Sequence, residues 1–163
     1  MKNYFKIFNL PTCFEIDLAE LEKNYLYLQQ QYHPDQNISN LESIENSILI
    51  NQAYNILVDD LKRSIHLLQI VGIDIENDDN HIKPDISILQ YILDLQEQVS
   101  QIKDLQEIII FKKNLKNDVD LIIKEFCQLY ANKNFDTATQ ILIKAKYLTK
   151  TIQDLKLKEK TLN

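Results

Sequence analysis

The sequence predicts an all-α protein, and three observations carry that prediction. One glycine and three prolines in 163 residues are too little punctuation for a β-sandwich or barrel, whose turns need such residues every few positions. Apolar residues recur at three- and four-residue steps over long stretches, the period of an amphipathic helix. The scarce glycine and prolines fall between those stretches, where helices start and stop. With 45% apolar content, the chain can bury a core as one domain or two small ones.

Taken in order, the first element is a short apolar segment, Tyr4 to Leu10, closed by Pro11. Asp17 suits the N-cap of the next helix, with Glu20 three residues on completing a capping-box pattern. Leu18, Leu21, Tyr25, Leu28 and Tyr32 form its apolar stripe. Pro34 then forces His33 out of helical dihedrals and removes a backbone donor, which places a turn there. From about Leu41, the series Ile44, Ile48, Asn51, Tyr54, Leu57 (or Val58), Leu61, Ile65 and Leu68 predicts one long helix, with Asp59-Asp60 as a candidate local break. Gly72 lies just past its last apolar turn, where a residue of positive φ is wanted.

Residues 73–84 are polar, acidic and aperiodic, and they mark a boundary between a domain at 1–72 and another at 85–163. Pro84 fits the first turn of a new helix. Its stripe runs Ile88, Ile92, Leu95, Val99, Ile102, Leu105, Ile109, and a second set follows as Ile108, Phe111, Leu115, Val119, Ile122, Phe126, Leu129. The two helices meet near Lys103 to Glu107. Ala131-Asn132-Lys133-Asn134 is the next turn, and Phe135, Ala138, Leu142, Ala145, Leu148, Ile152 and Leu155 make a last helix. The second domain is therefore expected to be a three-helix bundle.

Charge and composition exclude several functions. The net charge is −6, with five basic and nine acidic side chains in 1–72, one and four in 73–84, and twelve and eleven in 85–163. No segment is basic enough for nucleic acid to be the main partner. The final helix is the most basic part, with seven lysines against three acids over 133–160; a solvated face is the default and docking of an acidic partner the alternative. No apolar run approaches the roughly 18–20 residues of a membrane span. The amino terminus lacks a signal-peptide core and an Arg-rich presequence. Cys13 and Cys127 show no metal spacing, which suits a reducing compartment, and both are expected as small buried apolar groups. His66 and His81 have no partner at ligand spacing, so a solvent-facing or structural role is expected. Asp78-Asp79 lacks the oxygen spacing of a calcium loop. No Gly-rich phosphate loop, metal cluster or nucleophile–base pair is visible; the chain reads as a cytoplasmic protein that is not an enzyme and holds no cofactor or metal.

His33-Pro34-Asp35, at the tip of a helical hairpin, resembles the HPD loop of the J domain, the module that stimulates ATP hydrolysis in DnaK-class chaperones. The segments Asn3-Tyr4-Phe5-Lys6-Ile7-Phe8-Asn9-Leu10-Pro11, Leu28-Gln29-Gln30-Gln31-Tyr32, Ile50-Asn51-Gln52-Ala53-Tyr54-Asn55-Ile56-Leu57 and Leu61-Lys62-Arg63-Ser64 narrow the resemblance to the HscB family. HscB proteins are J-protein cochaperones of bacterial iron–sulfur cluster assembly with mitochondrial counterparts, so a mature organellar form would sit in the mitochondrial matrix. The acidic connector and the second bundle extend the resemblance over nearly the whole chain. It implies two partners, an HscA-type DnaK-class chaperone contacted by His33, Pro34 and Asp35, and an IscU-type scaffold protein.

The scaffold surface implied by the resemblance comprises Leu89, Leu93, Asp94 and Glu97 on the first bundle helix and Tyr147 on the last. Spacing bears on this separately: Leu89, Leu93 and Glu97 are one turn apart on one face, displaced from the Ile88–Ile92–Leu95 stripe. From periodicity alone, core packing is the simpler role for the two leucines. Two features depart from the J-domain pattern. Gln36 stands where lysine usually follows the tripeptide, and Lys23 is the only cation of the preceding helix. Attraction to an acidic chaperone surface is thereby weakened, which favours a dedicated chaperone. Gln90 and Gln96 stand where relatives can carry an apolar and a basic residue, which bears on how tightly the patch binds. Two alternatives stay open: a general J-domain cochaperone with another client, and a helical interaction protein with an inactive J domain.

Overall fold

A computed structural model describes residues 2–32, 41–76 and 82–162. Among them every regular element is a helix: α1 (Tyr4–Ile7), α2 (Leu18–Gln31), α3 (Leu41–Leu57), α4 (Asp60–Ile70), α5 (Ile86–Gln101), α6 (Leu105–Ala131) and α7 (Phe135–Leu162). No described helix is long and apolar enough to cross a membrane. The chain divides into two compact units, Met1–Ile73 and Asp74–Asn163.

In the first unit the core gathers Phe5, Phe8 and Leu10 from the amino-terminal segment, Leu21 from α2, Ile50, Ala53 and Leu57 from α3, and Ile65, Leu67 and Leu68 from α4. Asp17 caps α2 by accepting from the Ala19 and Glu20 amides. The continuous helix expected from Leu41 to Leu68 is instead two, because Asp59 turns extended and caps α4 by accepting from the Lys62 amide. Arg63 secures that break. Its guanidinium, itself buried, donates to the Leu57 carbonyl at the end of α3 and to the Asp60 carboxylate, and stacks over Phe14. Within α3 itself the core face differs from the expected stripe. Ile50, Ala53 and Leu57 are buried, whereas Ile44 and Ile48 of the expected stripe are 47% and 62% exposed. Leu18, the first residue of the α2 stripe, is exposed as well.

In the second unit α5 and α7 run parallel and α6 antiparallel to both. Asp85 meets Gln140 near the start of α7, Lys158 meets Val99 and Ile102 near its end, and Lys112 of α6 pairs with Glu159. Ile88, Ile92, Leu95, Ile108, Leu115, Ile122, Phe126, Ala138, Leu142, Ala145, Leu148 and Leu155 fill the interior. Ile109, expected on the first stripe, is exposed, since the break at 102–104 shifts the register so that Ile108 points inward. Pro84 lies outside the first turn of α5: Asp85 is the N-cap, and its amide donates to Gln140. Polar side chains of α7 hold the preceding backbone. Gln140 bonds the Lys83 carbonyl and Asp85 amide, Lys146 donates to the Ile75 carbonyl, and Lys158 caps the carboxyl end of α5.

Candidate functional site

His33, Pro34 and Asp35, with Gln36, lie outside the described residues; the helices that precede and follow them do not. α2 and α3 are joined by a polar seam centred on Asn51, whose side-chain oxygen accepts from the Tyr25 hydroxyl at 2.8 Å and from the Gln29 amide at 2.7 Å. The Tyr25 ring stacks on Tyr54 with centroids 4.0 Å apart. An acceptor with two donors from one neighbouring helix fixes both the spacing and the rotation of the pair. The sequence places Asn51 on the inward stripe of its helix, yet nothing in its spacing identifies its partners. Lys23 is the only cation of α2.

In the second unit, Leu89 and Leu93 are 45% and 60% exposed, while Ile88, Ile92 and Leu95 beside them are buried. Core packing therefore does not account for the two leucines. Asp94 and Glu97 are exposed next to them, and Asp94 accepts from the Gln90 amide at 3.0 Å. Tyr91, on the other flank of α5, lies under the Lys144 ammonium, 4.1 Å from its ring centroid. Burial, and secondarily the Asp118 carboxylate of α6, push the Tyr91 hydroxyl above its usual range, so the phenol stays neutral and serves as a packing and cation-binding surface. With the Tyr91 ring against Lys144 of α7, Leu89 and Leu93 occupy the opposite flank of α5. Tyr147 is three residues beyond Lys144 on α7, near the axial level of mid-α5, and is 37% exposed.

Tyr147 also borders a cleft of about 320 Å³ that it shares with Ile75, Ile82, Pro84, Ile143, Lys146 and Lys150. Sequence reading missed this feature; its only signal was the lysine excess of the last helix. Among the described residues no group of His, Cys, Asp and Glu side chains could hold a metal ion. Cys13 and Cys127 are half-buried, not fully buried as expected, and each thiol lies on a nearby carbonyl, Glu15 and Ile123 respectively. The arrangement offers surfaces for binding: a helical hairpin in the first unit and an exposed apolar and acidic face in the second.

Comparison with known proteins gives these surfaces a context. The DnaJ domain family matches residues 3–66, and the family described as the HSCB C-terminal oligomerisation domain matches residues 84–156. A co-chaperone protein HscB homolog of Acinetobacter baylyi is 31% identical over 156 residues, spanning 94% of this chain and 88% of the relative. The fold is that of the human co-chaperone HscB, with a TM-score of 0.85 at 24% identity over 98% of this chain and 83% of that one. It is also that of HscB from Vibrio cholerae, with a TM-score of 0.82 at 24% identity over 99% of this chain and 100% of the other.

Proposed function

The chain belongs to the HscB co-chaperone family, and we propose that it binds an IscU-type scaffold and delivers it to an HscA-type chaperone whose ATP hydrolysis it stimulates. It is a co-chaperone of iron–sulfur cluster assembly and not an enzyme; its J domain implies an Hsp70-class partner. The observation that carries the finer reading is the pairing, on one chain, of a J domain with the HscB carboxy-terminal domain. On this reading residues 1–72 serve the chaperone and 85–163 the scaffold, joined by 73–84, in a bacterial cytoplasm. The cluster travels on the scaffold as cargo.

His33, Pro34 and Asp35 would contact the chaperone. Leu89, Leu93, Asp94, Glu97 and Tyr147 would contact the scaffold, and the exposure of both leucines and of the tyrosine supports that role. The chain's chemical contribution is proximity. Holding the scaffold on one domain while the other engages the chaperone makes the second encounter intramolecular, at an effective concentration set by the length and stiffness of the link between them.

The test is an ATPase assay with purified HscA-type chaperone and IscU-type scaffold. His33→Gln is expected to abolish stimulation and leave scaffold affinity at the wild-type value. A variant that stimulates normally removes the J-domain mechanism from the reading.

A further inference from the structure

We propose that the cleft beside Tyr147 is a second anchor for the scaffold, taking from it an aliphatic side chain with a neighbouring carboxylate. The proposal rests on the scaffold-binding reading above and adds to it a site, a ligand chemistry and a residue, Lys150, that sets specificity.

The cleft is built before any partner arrives. Lys146 donates to the Ile75 carbonyl at 3.0 Å, which ties one wall to α7. Gln140 bonds the Lys83 carbonyl and the Asp85 amide, at 3.1 and 2.9 Å, which ties down the chain flanking Pro84 on the other wall. A site held on both sides pays less ordering entropy on binding than one that must close around its ligand. Ile143 and Pro84 are largely covered, whereas Ile82 and Tyr147 are each 37% exposed, so the apolar surface opens at the mouth. At about 320 Å³ the volume is at the small end of ligand pockets, roughly 300–1,000 Å³, which suits one or two side chains.

The charge at the mouth selects the partner. Among the described residues, the lining includes the lysines Lys146 and Lys150 and no acidic side chain. Both lysines belong to α7, the most basic part of the chain, with seven lysines against three acids over 133–160. Lys146 is already engaged with the Ile75 carbonyl, while Lys150, one turn further along α7, is exposed. A carboxylate beside the inserted aliphatic group would pair with the Lys150 ammonium. The face of α5 has the opposite sign, with Asp94 and Glu97 exposed. A scaffold that meets both must present cationic groups to α5 and a carboxylate to the cleft, and that bipolar demand fixes its orientation as well as its identity.

Calorimetric titration of the intact chain with purified IscU-type scaffold, at low and high salt, tests this. Lys150→Glu is expected to lower affinity at least fivefold at low salt and to flatten the salt dependence, and Lys150→Arg to bind as wild type. Ile82→Ser should lower affinity while keeping the wild-type salt dependence. Both positions are exposed, so thermal melts should stay at the wild-type value. If Lys150→Glu keeps wild-type affinity and salt dependence while Leu89→Ala with Leu93→Ala loses binding, the cleft is not a contact and the scaffold reading stands. A wild-type chain that does not bind the scaffold overturns both. Self-association that Lys150→Glu abolishes, with scaffold binding intact, would assign the cleft to a second copy and overturn the proposal.

Discussion

His66 shows how one side chain ties an element into the fold and makes it acid-sensitive. Its ring is fully buried, stacked on Tyr4 with centroids 4.4 Å apart and on Phe5 at 5.9 Å. Nε2 accepts the Tyr4 amide at 3.1 Å, which holds the first turn of α1 against α4 and requires that nitrogen to be unprotonated. Burial pushes the imidazole below its ordinary 6.5, with the Gln69 side chain opposing. The unfolded chain therefore takes up a proton at a pH where the native chain still refuses it. Stability from this group is complete above about 6.5 and declines as pH falls toward the depressed native value. Denaturant melts at pH 7.5 and 5.5 are expected to show a loss in the wild type that is markedly smaller in His66→Gln, whose amide oxygen can still accept from Tyr4. Equal losses in the two proteins would place the acid sensitivity elsewhere. Sequence reading left His66 between a solvent-facing and a structural role, because a histidine three residues past Arg63 carries no mark of its burial. Only the long-range partner, Tyr4, decides it.

Three helices end in the same way. After α1, α4 and α6 a residue of positive φ follows the C-cap: Asn9 at 54°, Gly72 at 91° and Lys133 at 57°. In each case the next amide reaches back five residues, Leu10 to Phe5, Ile73 to Leu68 and Asn134 to Leu129, at 2.9 to 3.0 Å. These are Schellman ends, which satisfy carbonyls the helix leaves open. Gly72 is legible because glycine occupies that conformation without a Cβ penalty. Asn9 and Lys133 are not, and lysine bears the cost of a left-handed backbone, about 1–2 kcal/mol. Lys133→Gly is accordingly expected to stabilise the protein by about 0.5–1 kcal/mol, after the extra flexibility glycine gives the unfolded chain is counted. Chemical denaturation measures it, and an unchanged or lowered midpoint would show that the Lys133 side chain contributes packing that offsets its backbone. The same limit explains the split between α3 and α4. Asp59-Asp60 was visible as a candidate break, but apolar spacing ran through it, and Arg63 recruited to the Leu57 carbonyl depends on a turn that spacing alone does not encode. Ile44 and Ile48 precede that break; they are exposed because α3 turns Ile50, Ala53 and Leu57 to the core instead. On α5, where no break intervenes before Gln101, the separation of buried Ile88, Ile92 and Leu95 from exposed Leu89 and Leu93 follows the helical period directly.

For the whole molecule, the question is whether binding and folding can be separated in the second unit, and the exposure of its leucines decides what to expect. Truncating a buried leucine costs about 2–5 kcal/mol through lost burial and a cavity. At Leu89 and Leu93 roughly half of each side chain is already in water, and neighbouring Ile88, Ile92 and Leu95 keep the interior filled. The double change Leu89→Ala with Leu93→Ala should therefore leave circular dichroism and melting temperature near wild type. At an interface the same atoms would be fully desolvated, where central apolar anchors contribute about 1–2 kcal/mol or more each, or about five- to thirty-fold in affinity. Scaffold binding is expected to weaken at least tenfold, with Tyr147→Ala weakening it in the same direction. Because the J domain is a separate unit, the double variant should keep its basal stimulation of the chaperone and lose only the increment added by scaffold, so the two activities fall apart in one protein. The core alternative makes the opposite forecast: a lowered melting temperature, with affinity per folded molecule unchanged. Titration calorimetry run beside thermal melts separates them, and a large stability loss without an affinity loss would remove the α5 face from the scaffold interface.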